Sequence, residues 1–415
     1  MTQKLLKNVK ALLERAVAAS KIRRLIVARK SLGLRRYARR RLGLPGKPSG
    51  VNLVGYIRAE MGLGTVARGI ASALDAASIP FNVINLEQGN TSRHDDLTWA
   101  HREVSSSPYD ITVAAVNPDN SFNLKLHVSR EILGRTYFIY VWFWELPELP
   151  DEWTSEFKFA DEIWAGSRFI ESAVSLKSPV PVVRVPPVVQ VPDGGGLPRT
   201  HFGLSDQRFL FLGMFDTHSF LERKNPLAVV RAFKKAFPEN TSDVGLILKF
   251  NNPDQRDPVT RAVMEEVRGR DDVSIINRNM TRQEVTSLIS VSDCFVSLHR
   301  SEGFGLGPAE AMYLSKPIIL TNWSGNTDYM TSENSIGIDY ELVKLGQDYG
   351  PYRAHQHWAE PDVDQAAYWM KKLFTEPALA QRIGKRGQET IKTNCSPEAV
   401  GRLIQERLDQ IRRNL

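Results

Sequence analysis

The chain has 415 residues, 42% hydrophobic and 24% charged. That composition excludes a mostly disordered protein, and the length calls for more than one domain. Two cysteines, Cys294 and Cys395, cannot make a disulfide framework, which points to a reducing compartment. The net charge of +7 is unevenly placed. Residues 1–50 hold 15 Lys or Arg against the single acid Glu14, whereas the remaining 365 residues hold 39 basic and 46 acidic ones. A mildly acidic body argues against nucleic acid as a partner.

Within the tail, Leu5, Leu6, Val9, Leu12, Leu13, Ala16 and Val17 recur at helical spacing, with Lys4, Lys7, Lys10 and Arg15 largely between them. This predicts a basic amphipathic helix, and a second basic stretch follows from Lys21 to Arg41. Each cation near an anionic lipid surface is worth about 1 kcal/mol, and the Leu/Val stripe adds burial. Residues 1–50 are therefore expected to meet an anionic membrane surface. The other reading is a helix packed on the body or on a partner. The tail's lone Tyr37 offers little for stacking on bases. The longest apolar run, Tyr137 to Trp144, falls far short of the ~20 residues of a membrane span, and no apolar signal-peptide core is evident.

From residue 51 onward strands and helices alternate. Strands are predicted at Val51–Ile57, Phe81–Leu86, Ile111–Val116, Tyr137–Phe143, Glu162–Ala165 and Val182–Val185, with a helix carrying Val66, Ile70, Ala73 and Leu74 after the first. Breakers crowd Pro186 to Leu204, placing a boundary there. A second series follows, with strands at Phe209–Phe215, Val244–Phe250, Val273–Ile276, Cys294–Leu298 and Ile318–Thr321. Helices are predicted at Pro226–Phe237, Arg256–Arg270 and Thr281–Val291. The pattern is α/β with two doubly wound domains facing a cleft, where ligands bind beyond the carboxyl ends of the strands. Domains are expected at 51–195 and 196–395. Ser396-Pro397-Glu398 caps a last helix in 396–415, for which packing back on the first domain is one placement.

The densest chemistry lies in Ser297-Leu-His-Arg-Ser-Glu-Gly-Phe-Gly-Leu-Gly-Pro-Ala-Glu310. A buried strand runs into Gly303, Phe304, Gly305, Leu306 and Gly307, and Pro308 sits where a helix begins. Backbone N–H groups at such a helix start favour a diphosphate. Glu302 and Glu310 flank the loop. Phosphate repels a carboxylate, so these two suit sugar hydroxyls, and the combination suits a sugar nucleotide.

Glu302 and Glu310 with the glycines between them resemble the signature of retaining glycosyltransferases of the GT-B fold, family-4 (group 1) type. Gly62-Leu-Gly64, Glu222-Arg-Lys-Asn-Pro226 and Trp323-Ser-Gly-Asn326 agree in order. Trp144-Glu-Leu-Pro147 and Glu162-Ile-Trp-Ala-Gly-Ser167 are similar to a bacterial polysaccharide-biosynthesis subgroup. The resemblance spans roughly residues 51–395. It implies that Glu310 holds the ribose, that Glu302 binds a donor-sugar hydroxyl, and that Gly303 to Gly307 steady sugar and phosphate. Arg223 and Lys224 would neutralise the leaving diphosphate, and Gly62 and Gly64 would let the N-terminal loop approach from across the cleft. Two departures stand out. Met214 follows Gly213 where relatives commonly carry Arg, leaving Arg223 or Arg278 to compensate. The histidine that many relatives place near the reacting carbon is also missing, with Asp119 or Asn117 as its replacement.

The implied activity is hexosyl transfer with retention, first guess mannosyl from GDP-mannose. The acceptor would be a glycan or lipid-linked hydroxyl in cell-surface polysaccharide synthesis, on the cytoplasmic face of the membrane. The donor, GDP- or UDP-linked, is a substrate; neither metal nor resident cofactor is implied. Two other classes remain: a non-catalytic glycan- or membrane-binding scaffold, and an NAD(P)-dependent oxidoreductase using Gly62, Gly64 and Glu87. His355-x-His357 lacks partners with metal-ligand spacing and reads as solvated or as part of the acceptor cleft. Trp142, Trp144 and Trp153 read as core or as a sugar platform. Asp216 to Ser219 reads as a diphosphate loop or a surface turn.

Overall fold

The computed structural model describes residues 46–415 except 91, 129–131, 133–134, 192–195, 253 and 255. The tail helix expected before residue 46, and part of the expected boundary, lie outside the described residues. The first sheet contains β1 (Val51–Gly55), β2 (Phe81–Asn85), β3 (Ile111–Ala115), β4 (Tyr137–Trp142), β5 (Glu162–Ala165) and β6 (Val182–Arg184). All are parallel, in the order β2-β1-β3-β4-β5-β6. Their near-continuous apolar runs fit strands buried on both faces. Helices α1 (Gly62–Ala76), α2 (Ser121–His127) and α3 (Arg168–Ser175) connect them, α3 starting at Ser167, whose hydroxyl accepts from Ile170 N at 3.3 Å.

The second sheet contains β7 (Phe209–Asp216), β8 (Val244–Asn251), β9 (Val273–Asn277), β10 (Cys294–Ser297), β11 (Ile318–Thr321) and β12 (Ile336–Ile338). It is also parallel, in the order β12-β11-β10-β7-β8-β9. Its helices are α4 (Leu221–Lys224), α5 (Pro226–Ala236), α6 (Pro258–Glu266), α7 (Arg282–Val291) and α8 (Leu306–Tyr313). Thr281 and Glu284 form a reciprocal capping box on α7, which fixes where Arg282 enters the fold. The helix expected over 256–270 is confined to α6, since Val267 leaves helical geometry and Gly269 turns at φ +76°.

An antiparallel hairpin of β13 (Tyr340–Lys344) and β14 (His357–Pro361) was not legible in the sequence. It delivers Leu345, Tyr352 and Trp358 into the same apolar cluster as Trp142, Trp144, Trp153 and Phe157. The three tryptophans are buried and serve as core. After α9 (Val363–Thr375) and α10 (Pro377–Asn394) comes α11 (Pro397–Arg413). It lies on the first domain, with Val400, Ile404, Leu408 and Ile411 in the cluster of Val66, Ile70 and Leu74. Arg407 Nε donates to Glu162 Oε1 at 2.9 Å and Arg412 Nε to Asp110 Oδ2 at 2.9 Å. No helix among the described residues is long and apolar enough to cross a membrane.

Candidate active site

In each sheet the strand order reverses beside its first strand, and the two reversal points face one another. At such a point neighbouring loops diverge and leave a crevice. Two cavities of about 400 and 410 Å³ occupy it. Both are lined by Met61, Gly62, Met214, Asp216, Asn251 and Leu306, so these residues form the waist of one elongated cleft.

At one end stand Arg223, Lys224, Glu302 and the loop Gly303, Phe304, Gly305, Leu306, Gly307. The fully buried β10 brings the chain to this loop. Gly305 then takes φ +84° and opens α8. An added Cβ there would stand 2.8 Å from the Tyr329 hydroxyl, which donates to Gly305 O at 3.0 Å. Phe304 is packed edge-on against Tyr329 with ring centroids 5.1 Å apart. Ser167 Oγ donates to Gly303 O at 2.6 Å, tying the loop to the first domain. The first N–H groups of α8 have no partner within the helix, and Leu306 and Gly307 line the cavity. That is an anion-binding arrangement.

Glu302 is buried and ion-paired to Lys224 and, at 3.4 Å, to Arg223. Burial pushes its carboxyl up, but Lys224, Arg223 and then His299 outweigh it and hold Glu302 down at about 2. The Arg223 guanidinium donates to Ser301 O at 2.7 Å, while its Nε has no partner. Burial would depress it, yet Tyr352, Glu302 and Glu145 keep it firmly charged. His299 is buried between Ser297 Oγ (3.2 Å) and Asn326 Oδ1 (3.0 Å), and burial lowers its pKa, so it is neutral at pH 7.

At the other end Glu310 faces Arg282, which donates to its two carboxylate oxygens at 2.7 and 3.0 Å. Met280, Arg68, Asp96 and Trp99 complete this chamber. Burial works against the charge of Arg282, and Glu310 and Asp96 restore it. The first domain reaches across here through Arg93, whose Nη2 donates to Met280 O at 3.0 Å.

Several expectations change with the structure. Gly62 lines both cavities, but Gly64 faces inward, where a Cβ would come 2.1 Å from Ala59 O. Its role is close packing of α1 on the β1 loop. Asp119 is exposed and off the cavity wall. Asn117 lines the wall, but its amide is spent on Phe143, donating to the carbonyl at 3.1 Å and accepting from the N–H at 2.9 Å. The carboxylate that the first domain presents at the Glu302 end is Glu145, which accepts from the Tyr352 hydroxyl at 2.9 Å. Arg278 is held by Glu284 at 2.7 Å, outside the cleft lining. Glu87 is exposed and does not line the cleft. Asp216 and Ser219 do line it. His355 pairs with Glu148 at 3.5 Å, and no metal-binding cluster exists among the described residues. Glu145 and Arg282 were missed because the sequence signals only a strand end and a helix start; what they face, Tyr352 and Glu310, is brought to them by tertiary packing.

Residues 214–341 match the family model described as Glycosyl transferases group 1, a region holding most of the second domain's cleft residues. A 177-residue stretch is 24% identical to trehalose synthase of Rubrobacter xylanophilus, covering 41% of this chain and 37% of that protein. A 122-residue stretch is 26% identical to the alpha-1,3/1,6-mannosyltransferase ALG2 of Homo sapiens, covering 29% and 24%. The matches thus span only 24–37% of these relatives' length. Two solved structures align over nearly the whole chain. A glycosyltransferase from Rickettsia africae gives a TM-score of 0.62 at 15% identity, covering 88% of this chain and 100% of that one. Anabaena HepE in complex with UDP and glucose gives 0.60 at 12%, covering 88% and 100%. The fold is that of the GT-B glycosyltransferase structures.

Proposed function

We propose that the protein is a retaining glycosyltransferase that moves a hexosyl unit from a nucleotide diphosphate sugar to a hydroxyl of a glycan or lipid-linked acceptor. The observation that carries this reading is the polarity of the cleft. A cation pair with a carboxylate stands at one end, a second carboxylate at the other, and an open helix N-terminus lies between. Ribose would bind at Glu310, the diphosphate at Leu306, Gly307 and Lys224, and the transferred sugar between Glu302 and Glu145.

In the reaction the bond from the sugar's anomeric carbon to the diphosphate oxygen breaks, and a bond to the acceptor oxygen forms on the same face. The acceptor's proton passes to the leaving diphosphate oxygen. Positive charge already in place at Arg223 and Lys224 stabilises that oxygen as its charge grows. Glu302 orients the sugar, and Glu145, joined to the same loop by the Ser301 hydroxyl on its carbonyl, would face the positive charge that develops on the sugar ring.

Mannosyl transfer from GDP-mannose is the first donor assignment, supported by the name of the ALG2 relative. UDP is the competing base, because HepE was crystallised with UDP and glucose. The basic tail, residues 1–50, would hold the enzyme on the cytoplasmic face of an anionic membrane, beside a lipid-linked acceptor of cell-surface polysaccharide synthesis.

The test is a thermal shift of the full chain with UDP, GDP, ADP and their sugars. A ligand at about 100 times its Kd stabilises by about 2.7 kcal/mol. A shift with one diphosphate family, lost in Glu310→Ala, and glycosyl product from the matching sugar nucleotide are expected. Folded protein that responds to none of them overturns the reading. Binding without turnover across a broad acceptor set would leave a glycan-binding scaffold.

A further inference from the structure

Met214 and Asp216 on β7 stand in register with Lys249 and Asn251 on β8. Side chains two residues apart on a strand share a face, and paired residues of parallel strands project together. The four therefore form a square on one face at the carboxyl ends of the sheet. Three of them, Met214, Asp216 and Asn251, line the waist of the cleft. The fourth, Lys249, is 0% exposed and stands beside Met214 in the register.

A fully buried ammonium normally has an anion beside it. Here the acceptor that Lys249 reaches is Asn251 Oδ1, and no carboxylate pairs with it among the described residues. Asp216 is engaged elsewhere: its Oδ1 accepts from His218 N and from Asn252 Nδ2, each at 3.0 Å. Three N–H donors thus meet one named acceptor. The waist is also the place where a nucleotide bound at Glu310 must pass its diphosphate toward Lys224.

We propose that Lys249 supplies the anion-binding charge at the waist, holding the diphosphate of the bound nucleotide from beside Met214 and through the amide of Asn251. This rests on the donor-site reading above. With its oxygen committed to Lys249, Asn251 keeps its Nδ2 donors for a phosphate oxygen. The buried charge itself acts through a wall of low polarisability, where fields are strong. Lys249 thereby provides in the sheet the positive charge that Met214 does not, and neither Arg278, held by Glu284, nor Arg223, bound to Ser301 O, is required at the waist.

The charges facing Lys249 are Asp216 from β7, Glu284 from α7 and Arg278 after β9. Burial lowers its pKa to about 8, with Asp216 and Glu284 opposing and Arg278 assisting. A diphosphate arriving at the waist favours the charged form, so binding above pH 8 draws a proton in, and affinity falls as pH rises through that range.

The experiment is titration calorimetry of the full chain with UDP and GDP, and with uridine and guanosine, in wild type and Lys249→Met. Loss of a charge-assisted contact is expected to weaken the diphosphate by about 10- to 100-fold while changing the nucleoside by less than about twofold. Unchanged nucleoside binding also reports that the variant is folded. In wild type at about pH 8.5, buffers of different ionisation enthalpy are expected to reveal proton uptake with the diphosphate and none with the nucleoside. Wild-type protein that binds a diphosphate without proton uptake overturns the role of Lys249, even if the variant fails to fold. Equal diphosphate affinity in Lys249→Met overturns it as well. Wild-type protein that binds neither diphosphate overturns the donor-site reading instead, and this inference with it.

Discussion

Arg282 grips both carboxylate oxygens of Glu310, from a different helix and across 28 residues of sequence. A carboxylate offers about four lone-pair sites, so a forked guanidinium leaves the other two for a vicinal diol. The pair fixes the plane of Glu310 before any ligand arrives. Arg282→Ala frees that plane and is expected to cut affinity for a ribonucleoside diphosphate about tenfold. Its effect on the 2′-deoxy analogue should be small. Competition binding with the two nucleotides checks this, and equal losses for both would assign Arg282 a purely structural role.

Glu302 makes the acid limb of stability depend on the site. Its carboxyl is held at about 2, below the value of an unfolded glutamate, so its contribution is complete above about pH 4.5 and is lost as pH falls toward 2. The two values correspond to about 3 kcal/mol. Melting curves across that window should flatten in Glu302→Gln. The same variant should lose about 100-fold or more in turnover, since the donor sugar loses its anionic partner.

Glu145 should separate turnover from donor binding. It stands on the first-domain wall and is positioned by the Tyr352 hydroxyl at 2.9 Å. Glu145→Gln is expected to lower kcat by about 10²-fold with diphosphate affinity nearly unchanged, because a group acting mainly in the transition state leaves ground-state binding alone. Tyr352→Phe should lower kcat less. Steady-state kinetics beside calorimetry resolves the two effects.

Gly305 tests the loop itself. Its left-handed backbone, φ +84°, and the Tyr329 hydroxyl 2.8 Å from a would-be Cβ oppose any side chain. Gly305→Ala is expected to cost about 1–3 kcal/mol, visible in chemical unfolding. Gly62→Ala meets nothing within 4 Å of its Cβ. It should keep its stability and lose affinity only if a ligand occupies that space.

Periodicity and composition were enough for the two α/β series, for all six strands of the first sheet and five of the six in the second, and for the cleft between them; β12, three residues long with a glycine at its centre, was not read. Apolar runs bounded by glycine and proline have one economical solution, parallel strands covered by helices. The loop from Glu302 to Glu310 was equally legible, because glycines beside a buried strand and a proline at a helix start are local signals. Pairings between residues distant in sequence were not. Arg282 with Glu310, Glu145 with Tyr352, and Lys249 beside Met214 join residues 28, 207 and 35 positions apart. No local pattern encodes them. Asp119 and Gly64 illustrate the converse: each carries a suggestive residue type, and tertiary packing turns one outward and the other into the α1 contact. A sequence determines which segments become strands and helices because those choices are settled within a few residues. Which charges meet in the cleft is decided only when strands and helices far apart in the chain pack together, within a domain as for Arg282 and Glu310 and between domains as for Arg93 and Met280, and burial then fixes the electrostatics of each group.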